Sequence, residues 1–313
     1  MLAYAARRVL TTIPVMLFVA FFVFSLLYLA PGDPAAIIAG DQATPADIER
    51  IRASLGLDRP FVVRFGDWLW HILHGDLGTS IFTNLPVTKM IGQRVEPTLS
   101  LMVLTLCISI TLAIPMGVVA AWKQGTLIDR ALMLLAVAGF SIPVFVLGYL
   151  LAYEFALQLD WLPVQGYTPL ADGIWPWLSN LILPSVALGA IYIALIARIT
   201  RASMLEVLSQ DYVRTARSKG VGEGSILFLH ALKNAAVPIV TVIGIGVALL
   251  IGGVVITETV FNIPGIGRLV VDAIARRDYP IIQGVILLFS GVYVLVNLAV
   301  DLSYTLFDPR VRG

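Results

Sequence analysis

Few residues in this chain have the types and spacing that chemistry requires. The 313 residues include three histidines, and one cysteine, Cys107, lies within an apolar run. His71 and His74 have the i, i+3 spacing of helical metal ligands, but no glutamate or cysteine stands beside them. The sequence has no His-Glu-x-x-His, Gly-x-Ser-x-Gly or Gly-x-x-x-x-Gly-Lys-Ser/Thr pattern. We therefore predict no catalytic residue, no metal and no cofactor in this chain.

The composition excludes an ordinary soluble enzyme. Apolar side chains make up 58% of the residues and charged ones 13%, with a mean hydropathy of +0.90. Soluble domains average roughly 45–50% apolar and about 25% charged residues. The 21 basic and 20 acidic residues nearly cancel to +1, so no overall field attracts nucleic acid.

Uninterrupted apolar runs indicate an all-α membrane protein with six transmembrane helices. A spanning helix needs about 20 mostly apolar residues. The runs that meet this length are Val9 to Ala30, Thr98 to Trp122, Ala131 to Leu157, Leu178 to Ala197, Val237 to Thr257 and Ile281 to Phe307. Pro14, Pro115, Pro143 and Pro184 lie inside these runs, where we expect kinks. We divide the chain into residues 1–97, the first helix with a long external segment, and residues 98–313, a core of five helices.

Lysine and arginine in the short connections predict the orientation. With the N-terminus inside, the cytoplasmic pieces carry twelve basic residues and the short external connections carry three. Basic residues concentrate on the cytoplasmic side of membrane proteins. Both termini are therefore expected in the cytoplasm, and residues 31–97 on the outside. Within that external segment, Thr44 to Leu57 is predicted to form a short helix with Pro45 at its first position.

The cytoplasmic connection 198–236 is predicted to be a docking element for another protein. Charged residues between Asp211 and Lys219 have a helical period and fall on more than one face, and Gly220 and Gly222 break the helix before a second one begins. Such a helix pair against a membrane has exposed side chains and no core of its own. Alternatively, its basic residues only determine the membrane topology or contact anionic lipid.

Several blocks of the sequence resemble ATP-binding-cassette importer permeases of the peptide and nickel branch. The blocks include Tyr212 to Gly220 followed by His230 to Pro238, together with Leu29 to Pro34, Leu55 to Pro60, His74 to Gly78, Asn262 to Arg268, Arg277 to Pro280 and Asp301 to Arg310. They look like the corresponding parts of dipeptide, oligopeptide and glutathione permeases, in the same order. One departure is that Arg214, Thr215 and Ala216 stand where the cytoplasmic signature begins with glutamate and two alanines.

The resemblance implies the type I importer permease fold with an extra N-terminal helix. It also implies a multi-pass protein of a bacterial inner membrane, with a second, homologous permease, two ATP-binding subunits that hold ATP and Mg, and an external substrate-binding protein as partners. The segment that couples such permeases to the ATPases maps onto Arg214, Arg217, Ser218, Lys219, Gly220, Val221, Gly222 and Glu223. The implied function is to form the path for di- or oligopeptides, or glutathione-like peptides.

Two further groups of residues are functional candidates on the external side. A cluster of mixed charge is predicted to contact the binding protein, and it comprises Arg268, Asp272, Arg276, Arg277 and Asp278. Glu154, near the outer end of its run, and Glu258 are candidates for the substrate path. Asp301 is expected to pair with an arginine or cap backbone groups near the cytoplasmic end of its run. The alternatives are nickel or opine-type substrates in the same family, an ion-coupled secondary peptide transporter, and an intramembrane enzyme.

Overall fold

The regular structure of the chain is helical. The computed structural model describes residues 2–29, 34–39, 43–54 and 56–307. Within these ranges the one β-type contact is an isolated bridge between Thr79 and Pro86. The prediction of an all-α protein is confirmed. The side chain of Asp301, which was predicted to pair with an arginine or cap backbone groups, lies outside the described part of the structure.

The helices follow one another with short connections. In chain order they are α1 (Leu2–Leu29), α2 (Pro34–Ala39), α3 (Pro45–Ser54), α4 (Phe61–Leu73), α5 (Val87–Gly92), α6 (Val95–Trp122), α7 (Leu127–Ser141), α8 (Val144–Leu151), α9 (Ile174–Leu208), α10 (Asp211–Ser218), α11 (Glu223–Ser225), α12 (Leu232–Asn234), α13 (Ala236–Val260), α14 (Ile266–Arg276) and α15 (Tyr279–Phe307). Two π-helical segments, Ala152–Gln158 and Ile226–Ala231, and a 3₁₀ turn, Leu170–Asp172, complete them.

Among the described residues, five helical stretches are long and apolar enough to cross a membrane, and they coincide with five of the six predicted runs. These stretches are Leu10–Leu27, Val87–Trp122, Ile174–Leu208, Ala236–Val260 and Tyr279–Ala299. The sixth predicted run, Ala131 to Leu157, is sharply bent at Pro143, where a kink was expected. Its two halves, Leu127–Ser141 and Val144–Gln158, meet at an angle of 104°.

Proline accounts for the break between these two halves. Pro143 has no N–H group to donate, and its ring disfavours a helical conformation at Ile142, which is extended with φ −89° and ψ 125°. Pro14, Pro115 and Pro184 instead lie within helices that continue past them. The same residue type therefore interrupts one apolar run and is tolerated in three.

The residues pack into two compact units. The first contains Met1–Val95 and Arg268–Val294, and the second contains Glu96–Gly267 and Leu295–Gly313. In the second unit α9 packs against α7, α8 and α13. Small residues allow α6 to approach α9 closely, since a Cβ atom on Gly117 would lie 2.5 Å from Cβ of Thr200. Leu101, Leu181, Leu188 and Leu250 are among the side chains fully enclosed in this core.

In the first unit the segment after α1 folds against the apolar helices. The short helix predicted from Thr44 is confirmed as α3, and Thr44 and Asp47 exchange hydrogen bonds across its first turn. The bonds donated by Thr44 hold the pKa of Asp47 below its ordinary value. Further along, aromatic rings of α4 stack against Phe21 and Phe24 of α1.

Candidate functional site

Residues 211–225, here called the basic turn, form a helix, a tight turn and the start of another helix. The N–H of Val221 donates to the carbonyl of Ala216 over 3.2 Å, and that of Gly220 donates to the carbonyl of Arg217 over 3.0 Å. This pair of bonds is the Schellman pattern that closes a helix end. It requires a left-handed residue, and Gly220 has φ +77°. The glycine break predicted from the sequence is thus a defined turn.

The basic turn presents its charges to solvent. The Arg217 guanidinium donates to both carboxylate oxygens of Glu223 at 2.8 and 3.3 Å, and both side chains are more than 40% exposed. Arg214 is 82% exposed and lies 3.7 Å from Asp211. Of the eight residues predicted to couple to an ATPase, the structure brings all into this one turn: Arg214, Arg217, Ser218, Lys219, Gly220, Gly222 and Glu223 are exposed, and Val221 is half-buried.

The base of the basic turn is buried in the second unit. Val213 and Ile226 have no exposed surface. The π-helical segment that follows contributes Leu227 and Ala231 to a cluster with Val118 of α6, Met204 of α9 and Ile239 of α13. The turn is therefore mechanically joined to three long helices. Phe228 and Leu229, 56% and 65% exposed, add an apolar surface beside it that sequence reasoning missed, although two adjacent large apolar residues within a charged connection were a usable signal.

A second charged contact ties the start of α7 to α9. The Arg201 guanidinium donates to the two carboxylate oxygens of Asp129 at 2.6 and 2.7 Å, and the N–H of Gly125 donates to Oδ2 at 3.0 Å. Asp129 is 4% exposed. Next to this pair, a cavity of about 310 Å³ is lined by residues of both helices, among them Met133, Ala136, Phe140, Ala194, Arg198 and Arg201. In the sequence, Arg201 was only one of the twelve basic residues that predict the orientation, and Asp129 was overlooked.

Glu258 lies in a closed hydrogen-bonded cluster at the end of α13. Its Oε1 accepts a bond from the Thr98 hydroxyl at 2.6 Å, and Thr98 accepts one from the N–H of Ile266 at 2.8 Å. A Cβ atom on Gly265 would lie 2.0 Å from Oε1, so only glycine fits there. Glu258 has no exposed surface, and a substrate could reach it only if these elements separated. Glu154, the other predicted path residue, is exposed on the π-helical segment after α8.

The connection between α8 and α9 is folded onto the start of α6. The Tyr167 hydroxyl donates to Glu96 at 3.1 Å and lies 3.3 Å from the hydroxyl of Ser100. The N–H of Leu170 donates to the same Glu96 oxygen at 3.1 Å. Burial raises the pKa of the Tyr167 phenol above its ordinary value. This connection is therefore an ordered part of the second unit.

In the first unit, the cluster predicted to contact a binding protein divides into exposed and internal members. Asp272, Arg276 and Arg277 are exposed, and Arg268 is half-buried. Asp278 is 2% exposed; its carboxylate accepts bonds from the Ser80 hydroxyl at 2.5 Å and from the N–H of Ile81 at 3.3 Å. The prediction that Asp278 faces an external protein was wrong, because its hydrogen bonds hold the segment 80–81 to the start of α15.

No cluster of three or more histidine, cysteine, aspartate or glutamate side chains that would hold a metal ion occurs in the described ranges. The two adjacent histidines have other bonds. Nδ1 of His71 lies 2.7 Å from the carbonyl oxygen of Asp67, and Nδ1 of His74 lies 2.8 Å from that of Trp70. Each ring thus binds the backbone four residues earlier in its own helix.

Comparison with known families gives matches over nearly the whole chain. The family described as "binding-protein-dependent transport system inner membrane component" matches residues 113–313, and the corresponding N-terminal family matches residues 1–102. A probable peptide ABC transporter permease protein of Sinorhizobium fredii is 59% identical over 309 residues, with 99% of each chain covered.

Other relatives and a solved structure agree with these matches. A dipeptide transport system permease protein of Alkalihalophilus pseudofirmus is 42% identical over 332 residues, with both chains fully covered. A glutathione transport system permease protein of Pectobacterium atrosepticum is 46% identical, with 100% of this chain and 99% of that protein covered. An inward-facing structure of the methionine ABC transporter MetNI has a similar fold, with a TM-score of 0.58 and 16% identity over 70% of this chain and 96% of that chain.

Proposed function

The chain belongs to the family of binding-protein-dependent transport system inner membrane components, and from this we propose that it forms the peptide path of an ATP-driven importer. It is a permease subunit and not itself an enzyme. In the proposal it pairs with a second, homologous permease, and two partner subunits bind and hydrolyse ATP with Mg. An external binding protein delivers the substrate.

The observation that carries the proposal is the arrangement of the basic turn. Its charges are exposed, while its base is buried between α6, α9 and α13. If a partner binds the exposed turn and then moves, three long helices would move with it. A closely packed interior transmits a displacement instead of absorbing it. Alternation between inward-facing and outward-facing states requires such a movement of membrane helices.

A matched pair of glycine substitutions tests this coupling. Gly220 and Gly125 both have φ +77°, both lie in turns, and no atom lies close to the position of an added Cβ at either. We expect Gly220→Trp to abolish co-purification of an ATPase subunit and Gly125→Trp to preserve it, since the backbone strain is the same. Retention of the ATPase by Gly220→Trp, with the chain still eluting as a folded species, would contradict the coupling role.

The proposed substrates are di- or oligopeptides, including glutathione-like peptides. Support comes from the relatives, which are named as peptide, dipeptide and glutathione permeases. The measurement is uptake of a radiolabelled dipeptide and of glutathione by cells with and without the chain, before and after depletion of ATP. Uptake of nickel or an opine without uptake of peptides would indicate that the chain belongs to a permease for one of those substrates. Peptide uptake that survives loss of ATP would favour an ion-coupled carrier.

The exposed residues Asp272, Arg276 and Arg277 are the proposed contact for the binding protein. Asp272 and Arg276 lie on α14 and Arg277 directly after it, next to a cavity of about 160 Å³ that Arg94, Asp272 and Arg276 line together. Reversal of charge at Arg276 and Arg277 is expected to lower uptake and leave assembly intact. Normal uptake by the doubly reversed variant would contradict this contact.

The proposed orientation has both termini in the cytoplasm. It places the basic turn on the ATPase side and residues 31–97 on the side of the binding protein. A reporter fused after Gly222 should be active only as a cytoplasmic protein, and one fused after Gly56 only as an external one. The opposite pattern would invert the proposed positions of both partners.

A further inference from the structure

The helix α4, within the segment that the sequence places outside the membrane, has three distinct faces. At 3.6 residues per turn, each face covers an arc of about 80–100°. The first face packs against the protein, and it consists of Phe61, Phe65, Trp68, Leu69 and Ile72. The second is apolar but exposed, and it consists of Val62, Val63, Gly66, Trp70 and Leu73. The third is polar: Asp67 and His71 are exposed, as is His74 just after the helix, whereas Arg64 on the same side is 8% exposed and lies over the ring of Phe24.

The exposed apolar face is large for a surface in water. Val62 is 77% exposed, Trp70 63% and Leu73 73%. Single exposed apolar residues are ordinary, but a contiguous row along one helix marks a surface that another apolar medium or molecule covers. The polar face next to it means that the helix also borders water.

The contacts of α4 place it below the outer end of the apolar helices. Its rings stack on Phe21 and Phe24, with centroid distances of 5.1–5.7 Å. The apolar stretch of α1, Leu10–Leu27, ends at Leu27. At 1.5 Å per residue, Phe24 and Phe21 lie about 4.5 and 9 Å before that end. On α15, Leu287 shares an apolar cluster with α1 and Trp68. The apolar stretch of α15 begins at Tyr279, so Leu287 also lies inside it. Interfacial helices bury their apolar face to a depth of about 5–10 Å.

The ring contacts also show that α4 crosses α1 steeply. Phe61 and Trp68 lie seven positions apart on α4, with Phe65 between them, which is about 10 Å of helix rise. All three meet Phe24, and two also meet Phe21, only three residues away on α1. A helix that ran alongside α1 would instead contact residues spread over a similar length of it. Because α1 crosses the membrane, α4 lies near the membrane plane.

We propose that α4 is an interfacial helix that lies in the membrane leaflet containing Leu27, with Val62, Val63, Trp70 and Leu73 in contact with lipid acyl chains. The occupant is lipid because α1, which crosses the membrane, also exposes apolar side chains at and below the depth of these contacts: Phe22 is 52% and Phe18 70% exposed within the apolar stretch Leu10–Leu27. The polar face with Asp67 and His71 then points to the headgroups and water. The segment is thereby anchored beside the membrane helices by bilayer contact as well as by α1.

Site-directed spin labelling tests the proposal. Cys107 is the sole cysteine, so Cys107→Ala gives a cysteine-free background. Single cysteines replace Val62 or Leu73 on the apolar face and Asp67 or His71 on the polar face. The full chain, with the subunits that co-purify with it, is reconstituted in phosphatidylethanolamine and phosphatidylglycerol vesicles. Accessibility of each nitroxide to oxygen, which concentrates among acyl chains, and to a water-soluble nickel chelate is then measured.

The expected result is an oxygen-to-nickel accessibility ratio several-fold higher at positions 62 and 73 than at 67 and 71. Equal ratios at all four positions would show that α4 has no separate lipid-facing side and would overturn the proposal. Low accessibility to both reagents at 62 and 73 would show that a protein subunit covers this face, which would also overturn it. If labelled variants fail to assemble, quenching by brominated lipids decides. The tryptophan emission that brominated lipid quenches is measured in the unsubstituted chain and in Trp70→Phe, and the difference reports Trp70 alone. Equal quenched emission in the two would overturn the proposal.

Discussion

Two helices of this permease, α10 and α14, end in the same hydrogen-bond pattern built from different residues. After α10 the left-handed position is Gly220, with φ +77°. After α14 it is Arg277, with φ +59°, and the N–H groups of Arg277 and Asp278 donate to the carbonyls of Ile274 and Ala273. Only glycine adopts this conformation without a steric penalty. The turn after α14 therefore carries a backbone strain that the turn after α10 avoids.

The two turns also use their charges differently. Beyond Gly220, Glu223 pairs with Arg217 at the surface. Beyond Arg277, Asp278 is enclosed and accepts two hydrogen bonds from residues 80 and 81. Both stretches have mixed charge in the sequence, yet one exposes nearly every charge to solvent and the other uses a charge to hold its own unit together. Burial, rather than charge composition, separates the two roles.

The largest loss of stability is expected on removal of Asp129, a buried carboxylate that is paired with Arg201. Asp129→Ala leaves the Arg201 guanidinium without its carboxylate in a partly enclosed site, and loss of one member of a buried pair costs about 3 kcal/mol. The thermal unfolding midpoint of the detergent-purified complex should fall by several degrees. Asp211→Ala is the matched control, because that carboxylate is 97% exposed beside Arg214. Equal effects of the two substitutions would show that burial does not set the difference.

A smaller effect is expected at Asp278. Replacement by alanine leaves the Ser80 hydroxyl and the N–H of Ile81 without their acceptor in a buried place, at a cost of about 2 kcal/mol. Asp272→Ala, at an exposed position on the preceding helix α14, should change the unfolding midpoint little. If Asp278→Ala instead lowers uptake at unchanged stability, Asp278 belongs to a partner contact after all.

The parts of the fold that the sequence predicted correctly depend on local patterns. The length of an apolar run determines whether a helix can span the bilayer, and five runs formed continuous helices. The helix start at Thr44 and the turn at Gly220 likewise depend on neighbouring residues. Whether proline kinks or breaks a helix depends on the surrounding packing, so the break at Pro143 was not predictable from its own position.

The parts that the sequence did not reveal depend on residues far apart in the chain. Asp129 meets Arg201 across 72 residues, Ser80 meets Asp278 across 198, and Thr98 meets Glu258 across 160. No local pattern marks these pairs. Glu258 was therefore assigned to an external connection, whereas it lies within α13 and is enclosed.

The difference in backbone strain between positions 220 and 277 can be tested by substitutions that add or remove a side chain at each. Gly220→Ala introduces the penalty for a Cβ atom at φ +77° and is expected to destabilise the chain by about 1 kcal/mol. Arg277→Gly removes that penalty and is expected to raise the unfolding midpoint, offset in part by the greater freedom of glycine in the unfolded chain. Gly220→Asn is the control, since asparagine tolerates this conformation. A loss of stability in Arg277→Gly would show that contacts of the arginine side chain outweigh the strain.

The smallest effect on stability is expected at the exposed pair of the basic turn. Arg217→Glu or Glu223→Arg should change the free energy of unfolding by less than about 1 kcal/mol, because surface ion pairs contribute little. Combining the two substitutions restores the pair with its charges exchanged. If the pair only holds the turn in shape, the double variant should regain the uptake that each single variant loses. If an ATPase subunit reads a positive charge at 217 and a negative one at 223, the double variant should be as inactive as the single ones, at unchanged stability. The second result is expected, since both side chains are more than 40% exposed and available to a partner.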